Sequence, residues 1–341
     1  MKFTKWDSIC YWGGTLDIEG KTGVSVVIGT RNRPIEIRRC LDSLVPQLGD
    51  MDELIIVDAT DGNETREIVS GYLAKCKNFI YLRDKTNGLP RVLNRVYGQF
   101  ASCPIIAILD DDMVVCPTWI ASIKKWFQIL QDADAVGGQT MNRIPQRIEI
   151  EIANKNPFAK LYDIFMMDGH LLDYQMQTDW GGYSIGVVPE HLPMRVTTLR
   201  HGNMAIKKTV FEKLGGYDCD FFYYGFDGEL FNRMNSQGYR MYSIPDASAD
   251  HYPGSQGNTR SIFYLGHDMA IFMKKLKPAS ICSRIKKRIN LLAFIFYCLF
   301  NHRSNSYYDV IVAIRGVLAG LKGVSLTSSV DSMQYSQFIQ K

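Results

Sequence analysis

Short apolar runs alternate with segments of helical period between residues 24 and 140. Each run is apolar on both faces, which is typical of strands covered on both sides of a sheet. The four runs are Val24–Ile28, Leu54–Val57, Phe79–Leu82 and Ile105–Leu109. After the first run, Pro34 precedes Ile and Leu residues spaced by four, three and four, which predicts a helix with one apolar stripe from Ile37 to Leu48. This alternation predicts a parallel sheet with helices on both faces.

Beyond residue 140 the pattern is looser and richer in Gly and aromatic residues. A helical segment at 207–214 is followed by a break at Gly215 and Gly216, and a second helix is expected from about Asp227 to Gly238. Helical period returns from about Tyr264. We therefore divide the chain into an extension at 1–21, halves at 22–140 and 141–262, and a helical region at 263–341.

Polar side chains gather where the predicted strands end. They are Thr30, Arg31 and Asn32 after the first strand, Asp58 after the second, and Asp110, Asp111 and Asp112 after the fourth. Ligands of open parallel sheets bind outside the carboxyl ends of the strands. The sequence therefore predicts one ligand site at this edge.

The triplet Asp110–Asp112 is the strongest chemical signal. Adjacent carboxylates repel one another, so a strand end that gathers three of them is unfavourable without a cation. Hard oxygen ligands select Mg²⁺ or Mn²⁺, which bind one or two carboxylates and share their other positions with phosphates and water. The alternative is an acidic turn that caps the next helix.

Other candidates carry weaker signals, each with a structural alternative. Asp58 is suited to accept an N–H from a pyrimidine base, or else to cap the following turn. Trp180 and Tyr183 lie among glycines, where they would stack on a sugar ring or anchor a loop. The arginines suited to pair with phosphate are Arg31, Arg33 and Arg91.

The composition is that of an ordinary globular protein of 341 residues, with 46% hydrophobic and 22% charged residues. Lys and Arg number 39 against 35 Asp and Glu, and this small, dispersed surplus does not indicate a nucleic-acid partner. The eight cysteines are scattered without a Cys-x-x-Cys pair, which favours a reduced, cytoplasmic location. Residues 1–20 lack the apolar run of a secretory signal.

Residues 274–300 are a candidate for peripheral membrane contact. Residues 289–300 are almost entirely apolar, but they fall short of the roughly 20 residues that span a bilayer. Residues 274–288 carry several Lys and Arg and no acidic residue, which is typical of a segment on an anionic membrane face. The alternative is a solvated basic helix that covers the core. The first interpretation places the protein at the inner face of the cell membrane.

Four blocks of the first half are Val24–Pro34, Leu54–Asp58, Asn87–Asn94 and Ile108–Asp112. With their spacing, they resemble the nucleotide-binding half of the family 2 glycosyltransferases of the GT-A fold. Blocks at 201–205, 215–218 and 225–230 are similar to that family's acceptor block, so the resemblance covers most of residues 22–255. It implies an α/β, Rossmann-like, mostly parallel sheet with helices on both faces and a C-terminal helical extension.

The resemblance also implies the roles of single residues. Residues 22–140 would bind the nucleotide sugar, and the donor-binding residues would be Thr30, Arg31, Asn32, Asp58, Asn87, Arg91, Asp110 and Asp111. The ligands of Mn²⁺ or Mg²⁺ would be Asp110, Asp112 and His251, although a lone His is often structural.

Residues 141–262 would bind the acceptor and carry the catalytic base. Asp227 matches the position of the base, whereas Phe226 stands where the family usually has a second acid. Gly29 stands where a Pro is usual. The acceptor-binding residues would be Trp180, Tyr183, His201 and Asn203.

The resemblance implies a metal-dependent, inverting glycosyltransferase. It would move a sugar from a nucleotide diphosphate, with UDP or dTDP favoured by Asp58, to a hydroxyl of a glycan or lipid-linked acceptor in surface polysaccharide or glycoconjugate synthesis. Residues 315–323 resemble the end of bacterial rhamnosyltransferase-like members. One alternative is a nucleotide-binding protein without catalytic activity, which is suggested by Phe226 in place of the second acid. The other is a sugar nucleotidyltransferase, but the loops of those enzymes carry more glycines before the Thr-Arg pair than this chain has before Thr30 and Arg31.

Overall fold

The computed structural model describes residues 9–12, 22–86, 88–142, 177–178, 184–185, 192–252, 259–275 and 307–323. The strands in these ranges are β1 (Ile9–Trp12), β2 (Val24–Thr30), β3 (Glu53–Asp58), β4 (Asn78–Arg83), β5 (Ile105–Leu109), β6 (Met113–Val115), β7 (Ala135–Asn142), β8 (Gln177–Thr178), β9 (Ser184–Ile185), β10 (Met194–Val196), β11 (Asn203–Lys207) and β12 (Met241–His251). The helices are α1 (Pro34–Leu44), α2 (Glu64–Ser70), α3 (Leu89–Gln99), α4 (Trp119–Ile129), α5 (Lys208–Lys213), α6 (Phe226–Ser236), α7 (Thr259–Lys275) and α8 (Tyr307–Lys322).

Within the described ranges, ten strands form one sheet in the order β1-β4-β3-β2-β5-β11-β7-β12-β10, with β6 paired to β12. Strands β4, β3, β2 and β5 are parallel neighbours, which confirms the predicted α/β arrangement. On the other side of β5, β11 lies antiparallel between β5 and β7, and β12 runs parallel to β7. The antiparallel strands are an addition that the sequence pattern did not predict.

Two apolar layers cover the sheet, one on each face. On β2, Val26 and Ile28 join the layer that contains residues of α1 and α4, whereas Val27 joins the layer that contains residues of α3 and α6. These three side chains are at most 1% exposed. Burial on both faces is the reason why the strands are apolar at every position.

The predicted helices that fall within the described residues are confirmed, with one difference at the end of α1. Ile37, Leu41 and Leu44 are fully buried along one stripe, but α1 ends at Leu44 and does not reach Leu48. Pro46 lies in the 3₁₀ turn that follows and has no N–H to continue the helix. Helix α6 is followed by Gly238 with a φ of +80°, as expected of a glycine that ends a helix.

The divisions of the chain expected at 140/141 and 262/263 fall inside β7 and α7. The sheet continues across the first of these positions, and a single helix continues across the second. Ile271 and Phe272 of α7 are buried in the same layer as α3 and α6. Helix α8 packs closely along α7, since a Cβ atom on Gly316 would lie 2.2 Å from the carbonyl oxygen of Phe263. The C-terminal helices are therefore joined to the core.

Most of the candidate membrane segment, residues 276–300, lies outside the described residues. Its first two cations contact the protein: Lys274 donates to the carbonyl oxygen of Leu321 at 3.1 Å, and Lys275 pairs with Asp218 and Asp220. In the part of the chain that the structure describes, no helix has the length and apolar character needed to cross a membrane.

Candidate active site

A cavity of about 570 Å³ opens at the carboxyl edge of the parallel strands. Residues at or just after the ends of β2, β3, β4 and β5 line it, together with the start of α3 and the loop before α6. This volume is in the range of small-molecule sites, roughly 300–1,000 Å³. Thr30, Arg31 and the triplet Asp110–Asp112 all line the cavity, at the edge where the sequence predicted a ligand site.

Asp111 is held by the protein itself. Its Oδ2 accepts a hydrogen bond of 2.7 Å from the Thr30 hydroxyl, and its Oδ1 accepts one of 2.9 Å from Nη1 of Arg33. Burial raises the pKa of Asp111 to about 6, although Arg33 and Thr30 favour the charged form. Asp111 therefore fixes the end of β2 to the acidic edge.

Asp112 and His251 are brought together by strand pairing. The antiparallel register of β12 and β6 places His251 opposite Met113, and the Tyr252 N–H donates to the carbonyl oxygen of Asp112 at 2.9 Å. His251 Nε2 then lies 3.4 Å from Asp112 Oδ1, while Arg33 Nη1 lies 2.9 Å from Asp112 Oδ2. Burial would raise the pKa of Asp112, but His251 and Arg33 hold it below its ordinary value.

The donor set at Asp112 fits a divalent cation. Asp112 Oδ1 is buried, and its 3.4 Å separation from His251 Nε2 is an ion-pair distance rather than that of a well-formed hydrogen bond. Ligands of an octahedral Mg²⁺ or Mn²⁺ ion are about 3 Å apart. No group of three or more His, Cys, Asp and Glu residues suited to a metal ion occurs in the described ranges. Asp112 and His251 would thus supply only part of the coordination, as expected for an ion that shares its other positions with phosphates and water.

The side chain of Asp110 is exposed and faces the cavity. The cavity walls limit the hydration of its carboxylate and raise its pKa to about 7, with smaller contributions from Asp112, Asp111 and Asp227, whereas His251 opposes the shift. Its carboxylate packs against Gly202, where a Cβ atom would lie 2.0 Å from Asp110 Oδ2. A cation beside Asp112 would favour its charged form.

Cationic side chains stand beside this acidic edge. Arg31 and Lys85 line the cavity and pair with Asp61 at 3.9 and 3.0 Å. Lys85 holds the pKa of the exposed Asp61 below its ordinary value. Asn32 has a φ of +54°, and its N–H donates to the Thr60 hydroxyl at 2.9 Å, so it shapes the turn next to Arg31.

Asp58 does not line the cavity, contrary to the role expected for it. Its side chain is fully buried, Oδ1 accepts the Thr60 N–H at 2.7 Å, and Oδ2 accepts the Tyr81 hydroxyl at 2.5 Å. Both oxygens are therefore used to hold the turn after β3. A nucleotide base bound in the cavity would instead contact Ala59 and Asp61, which belong to that turn and line the cavity.

Arg91 lies beside the cavity wall, with its guanidinium carbon 5.1 Å from the centre of the Phe222 ring. It is half-buried and packs near Gly88, whose φ is +96°. Asn87, which was expected to join it, lies outside the described residues.

Of the acceptor residues expected from the sequence, the structure describes His201 and Asn203. Trp180 and Tyr183 lie outside the described residues. Asn203 is 1% exposed and belongs to the core, because its side chain accepts the indole N–H of Trp119 at 2.7 Å and donates to Ala247 O and Gln139 O, both at 3.1 Å. Its hydrogen-bonding capacity is consumed by joining β11 to β7 and β12.

His201 and Phe226 form an aromatic group around Tyr217. His201 Nε2 lies 2.9 Å from the Tyr217 hydroxyl, and the Phe226 ring meets the edges of both rings at 5.0 Å. Burial lowers the pKa of His201, although the nearby charge of Asp227 opposes this shift.

Asp227 is the second residue of α6 and is half-buried. Gly225, with a φ of +73°, caps the helix, so Asp227 lies in its first turn. Asp227 does not line the cavity itself, but it closely follows the cavity residues Tyr223 and Tyr224 in the chain, and its charge contributes to the raised pKa of Asp110.

Several cavity residues escaped the sequence analysis. Tyr223 and Tyr224 line the cavity opposite the strand ends, yet nothing near them in the sequence indicates a ligand. Asp84, Lys85 and Thr86 follow β4, the strand for which no polar strand-end residues were predicted. Because ligands of parallel sheets bind outside the carboxyl ends of the strands, these three residues could have been predicted from the end of β4.

Two protein-family models match consecutive parts of the chain. Residues 25–187 match the model described as "Glycosyl transferase family 2", and residues 182–253 match the model described as "N-terminal domain of galactosyltransferase". No curated protein sequence matches the chain significantly.

Solved glycosyltransferase structures share the fold at low identity. The mannosyltransferase PcManGT from Pyrobaculum calidifontis, solved with GDP-Man and Mn²⁺, is 16% identical with a TM-score of 0.51, and the match covers 99% of this chain and 84% of that chain. GalNAc-T7, solved with UDP, GalNAc and Mn²⁺, is 17% identical with a TM-score of 0.54, over 80% of this chain and 55% of that chain. TarS from S. aureus is 13% identical with a TM-score of 0.54, over 88% and 81%.

Proposed function

The chain is a glycosyltransferase with a family 2 domain and the GT-A fold, and on this premise we propose that it transfers a sugar, with inversion, from a nucleotide diphosphate to an acceptor hydroxyl. The observation that carries the proposal is the pair formed by the cavity residue Asp112 and His251, in which the buried Asp112 Oδ1 lies 3.4 Å from His251 Nε2.

The donor half of the proposal uses the cavity at the strand ends. Arg31 and Lys85 would pair with the diphosphate, and Asp112 and His251 would hold Mn²⁺ or Mg²⁺, with Asp110 beside them in the cavity. The ion, when bound, neutralises the charge that develops on the leaving diphosphate. Nucleotide binding should be measured with GDP as well as UDP and dTDP, because the expected preference for a uracil or thymine base rested on Asp58, which is buried.

Asp227 is the proposed catalytic base. In an inverting transfer, the acceptor oxygen bonds to the anomeric carbon while the bond from that carbon to the diphosphate oxygen breaks, and the hydroxyl proton passes to a carboxylate. The position of Asp227 supports this role, because it is half-buried in the first turn of α6 and closely follows the cavity residues Tyr223 and Tyr224 in the chain.

The presence of Phe226 in place of an acid does not favour a binding protein without turnover. Phe226 is 3% exposed and packs against His201 and Tyr217, so an acid at this position would enter the aromatic core. Asp227, which is half-buried, is the acid that remains at these two positions.

Two substitutions separate donor binding from proton removal. Asp112→Asn should weaken Mn²⁺-dependent binding of UDP or GDP at least about tenfold, because it removes a charged ligand of the ion. Asp227→Asn should keep that binding but lower transfer or hydrolysis of the nucleotide sugar by about 10²–10⁴-fold. Calorimetric titration and a nucleotide-release assay measure the two effects.

The matched control is Asp50→Asn, because Asp50 is an exposed carboxylate paired with Lys77 just before β3, at the opposite end of the sheet from the cavity. It should match the wild type in both assays. Equal turnover by Asp227→Asn and the wild type would reject Asp227 as the base.

The acceptor is proposed to be a glycan or a lipid-linked sugar in the synthesis of surface polysaccharide or glycoconjugates. The basic and apolar segment 274–300 supports a cytoplasmic location with peripheral contact to an anionic membrane. Sedimentation with vesicles tests this contact. The protein should bind vesicles with phosphatidylglycerol and not vesicles of phosphatidylcholine alone, and equal binding to both, or to neither, would reject it.

A further inference from the structure

Asp268 is a fully buried carboxylate of α7, outside the residues assigned to the active site. Its Oδ2 accepts the backbone N–H groups of Phe222, Tyr223 and Tyr224 at 3.1, 2.8 and 2.9 Å. Its Oδ1 accepts the Phe222 N–H at 3.0 Å and lies 2.8 Å from Nδ1 of His267. Three successive N–H groups that converge on one carboxylate fix the path of this backbone.

Aromatic side chains of α7 hold the same segment from the side. The Phe222 ring stacks on Tyr264 with centres 5.0 Å apart and meets His267 edge-on at 5.3 Å. Tyr264 also meets the Tyr223 ring at 5.1 Å. The backbone carbonyl oxygen of Phe222 accepts the N–H of Leu89 at 2.8 Å, and Leu89 is a cavity residue at the start of α3.

The segment 222–224 joins α7 to both halves of the site. Tyr223 and Tyr224 line the cavity, and the chain passes from them through Gly225, with a φ of +73°, into Asp227. A displacement of this backbone therefore moves a cavity wall and the start of α6 together.

We propose that Asp268 is a positioning residue that sets the cavity wall at Tyr223 and Tyr224 and the place of Asp227. The proposal rests on the transfer reaction proposed above. It assigns α7 a part in the active centre, because the carboxylate of this C-terminal helix holds a loop of the preceding half of the chain.

The test compares Asp268→Asn with Asp52→Asn. Asp52 is the matched control: it is 3% exposed, accepts the N–H groups of Val24 and Gly49 at 2.9 Å each, and pairs with Lys124. It lies at the start of β3, away from the cavity at the strand ends. Both variants should melt about 2–8 °C lower than the wild type, because each leaves buried N–H groups poorly paired.

The variants should differ in kinetics at a temperature where both are folded. Asp268→Asn should lower kcat roughly tenfold or more and raise the Kd for UDP or GDP with Mn²⁺ roughly threefold or more, because the wall and Asp227 both shift. Asp52→Asn should leave both constants unchanged. A purely structural role would lower the active fraction in both variants without changing the Kd, and this result would overturn the proposal.

Hydrogen exchange in the wild type keeps the proposal testable if Asp268→Asn does not fold. Amides 222–224 should exchange slowly, and fast exchange would contradict the anchoring by Asp268. If the wild type failed to bind UDP or GDP with Mn²⁺, that result would reject the proposed function. It would not bear on the contact of Asp268 with residues 222–224, because the exchange of these amides is measured separately.

Discussion

At the scale of single residues, the three consecutive aspartates have three different surroundings. Asp110 faces the cavity against Gly202, Asp111 is bound by Thr30 and Arg33, and Asp112 is shared by Arg33 and His251. One guanidinium thus contacts two neighbouring carboxylates, which reduces their repulsion. The buried Oδ1 of Asp112 faces Nε2 of His251 at 3.4 Å.

Asn203 shows the limit of assigning roles by position in a motif. Asn203→Leu should lower the free energy of unfolding by about 2–4 kcal/mol, because it leaves the Trp119 indole N–H and the carbonyl of Ala247 buried without partners. Chemical denaturation measures this loss. Asn235→Leu, which removes an exposed hydrogen bond to Thr197, should cost less than about 1 kcal/mol. An unchanged stability of Asn203→Leu, with a higher acceptor KM, would restore the acceptor role of Asn203.

The sequence predicted the residues that directly follow a strand but not the direction of each side chain. Thr30, Arg31 and Asp110–Asp112 line the cavity because the strand ends place them there. Asp58 also follows a strand, yet it is buried, since Tyr81 of the neighbouring strand offers its hydroxyl to the inner side of the turn. That contact depends on the register between β3 and β4, which local patterns do not contain.

At the scale of elements, the pairing of β11 with β5 leaves no room for a side chain at residue 202. Gly202→Ala should displace the Asp110 carboxylate, because the new Cβ would lie 2.0 Å from Asp110 Oδ2. We expect donor binding with Mn²⁺ to weaken roughly tenfold, with a stability change below about 1 kcal/mol, because the displaced atoms are the end of a side chain that can rotate. Calorimetry and thermal melting measure the two quantities.

Gly98→Ala is the control at the same scale. Gly98 is exposed on α3 with open space around it, so alanine should raise the free energy of unfolding by about 0.5–1 kcal/mol and leave donor binding unchanged. If Gly202→Ala behaved like Gly98→Ala in both measurements, the position of Asp110 would not matter for the donor.

At the scale of the whole molecule, the two halves of the sheet differ in how far the sequence predicted them. Runs such as Val24–Ile28 are apolar throughout and alternate with segments of helical period, so the parallel pairing of β2 to β5 was predicted, although the order of these strands was not. The remaining half depends on pairs far apart in the sequence, such as Ala135 with Met241 and Met113 with His251. The Asp112–His251 pair arises from such a contact. The hydrogen bonds of Asp268 to the backbone of residues 222–224 also join residues far apart in the sequence.

The central claim is that the edge formed by Asp112 and His251 binds a divalent cation together with a nucleoside diphosphate. Electron paramagnetic resonance of Mn²⁺ tests it directly, because the signal of the free ion disappears on binding. With UDP or GDP present, the wild type should remove this signal, and Asp112→Asn and His251→Gln should each raise the Kd for Mn²⁺ by about tenfold or more. A wild type that leaves the signal unchanged with every nucleoside diphosphate, or variants that bind Mn²⁺ as the wild type does, would contradict the claim.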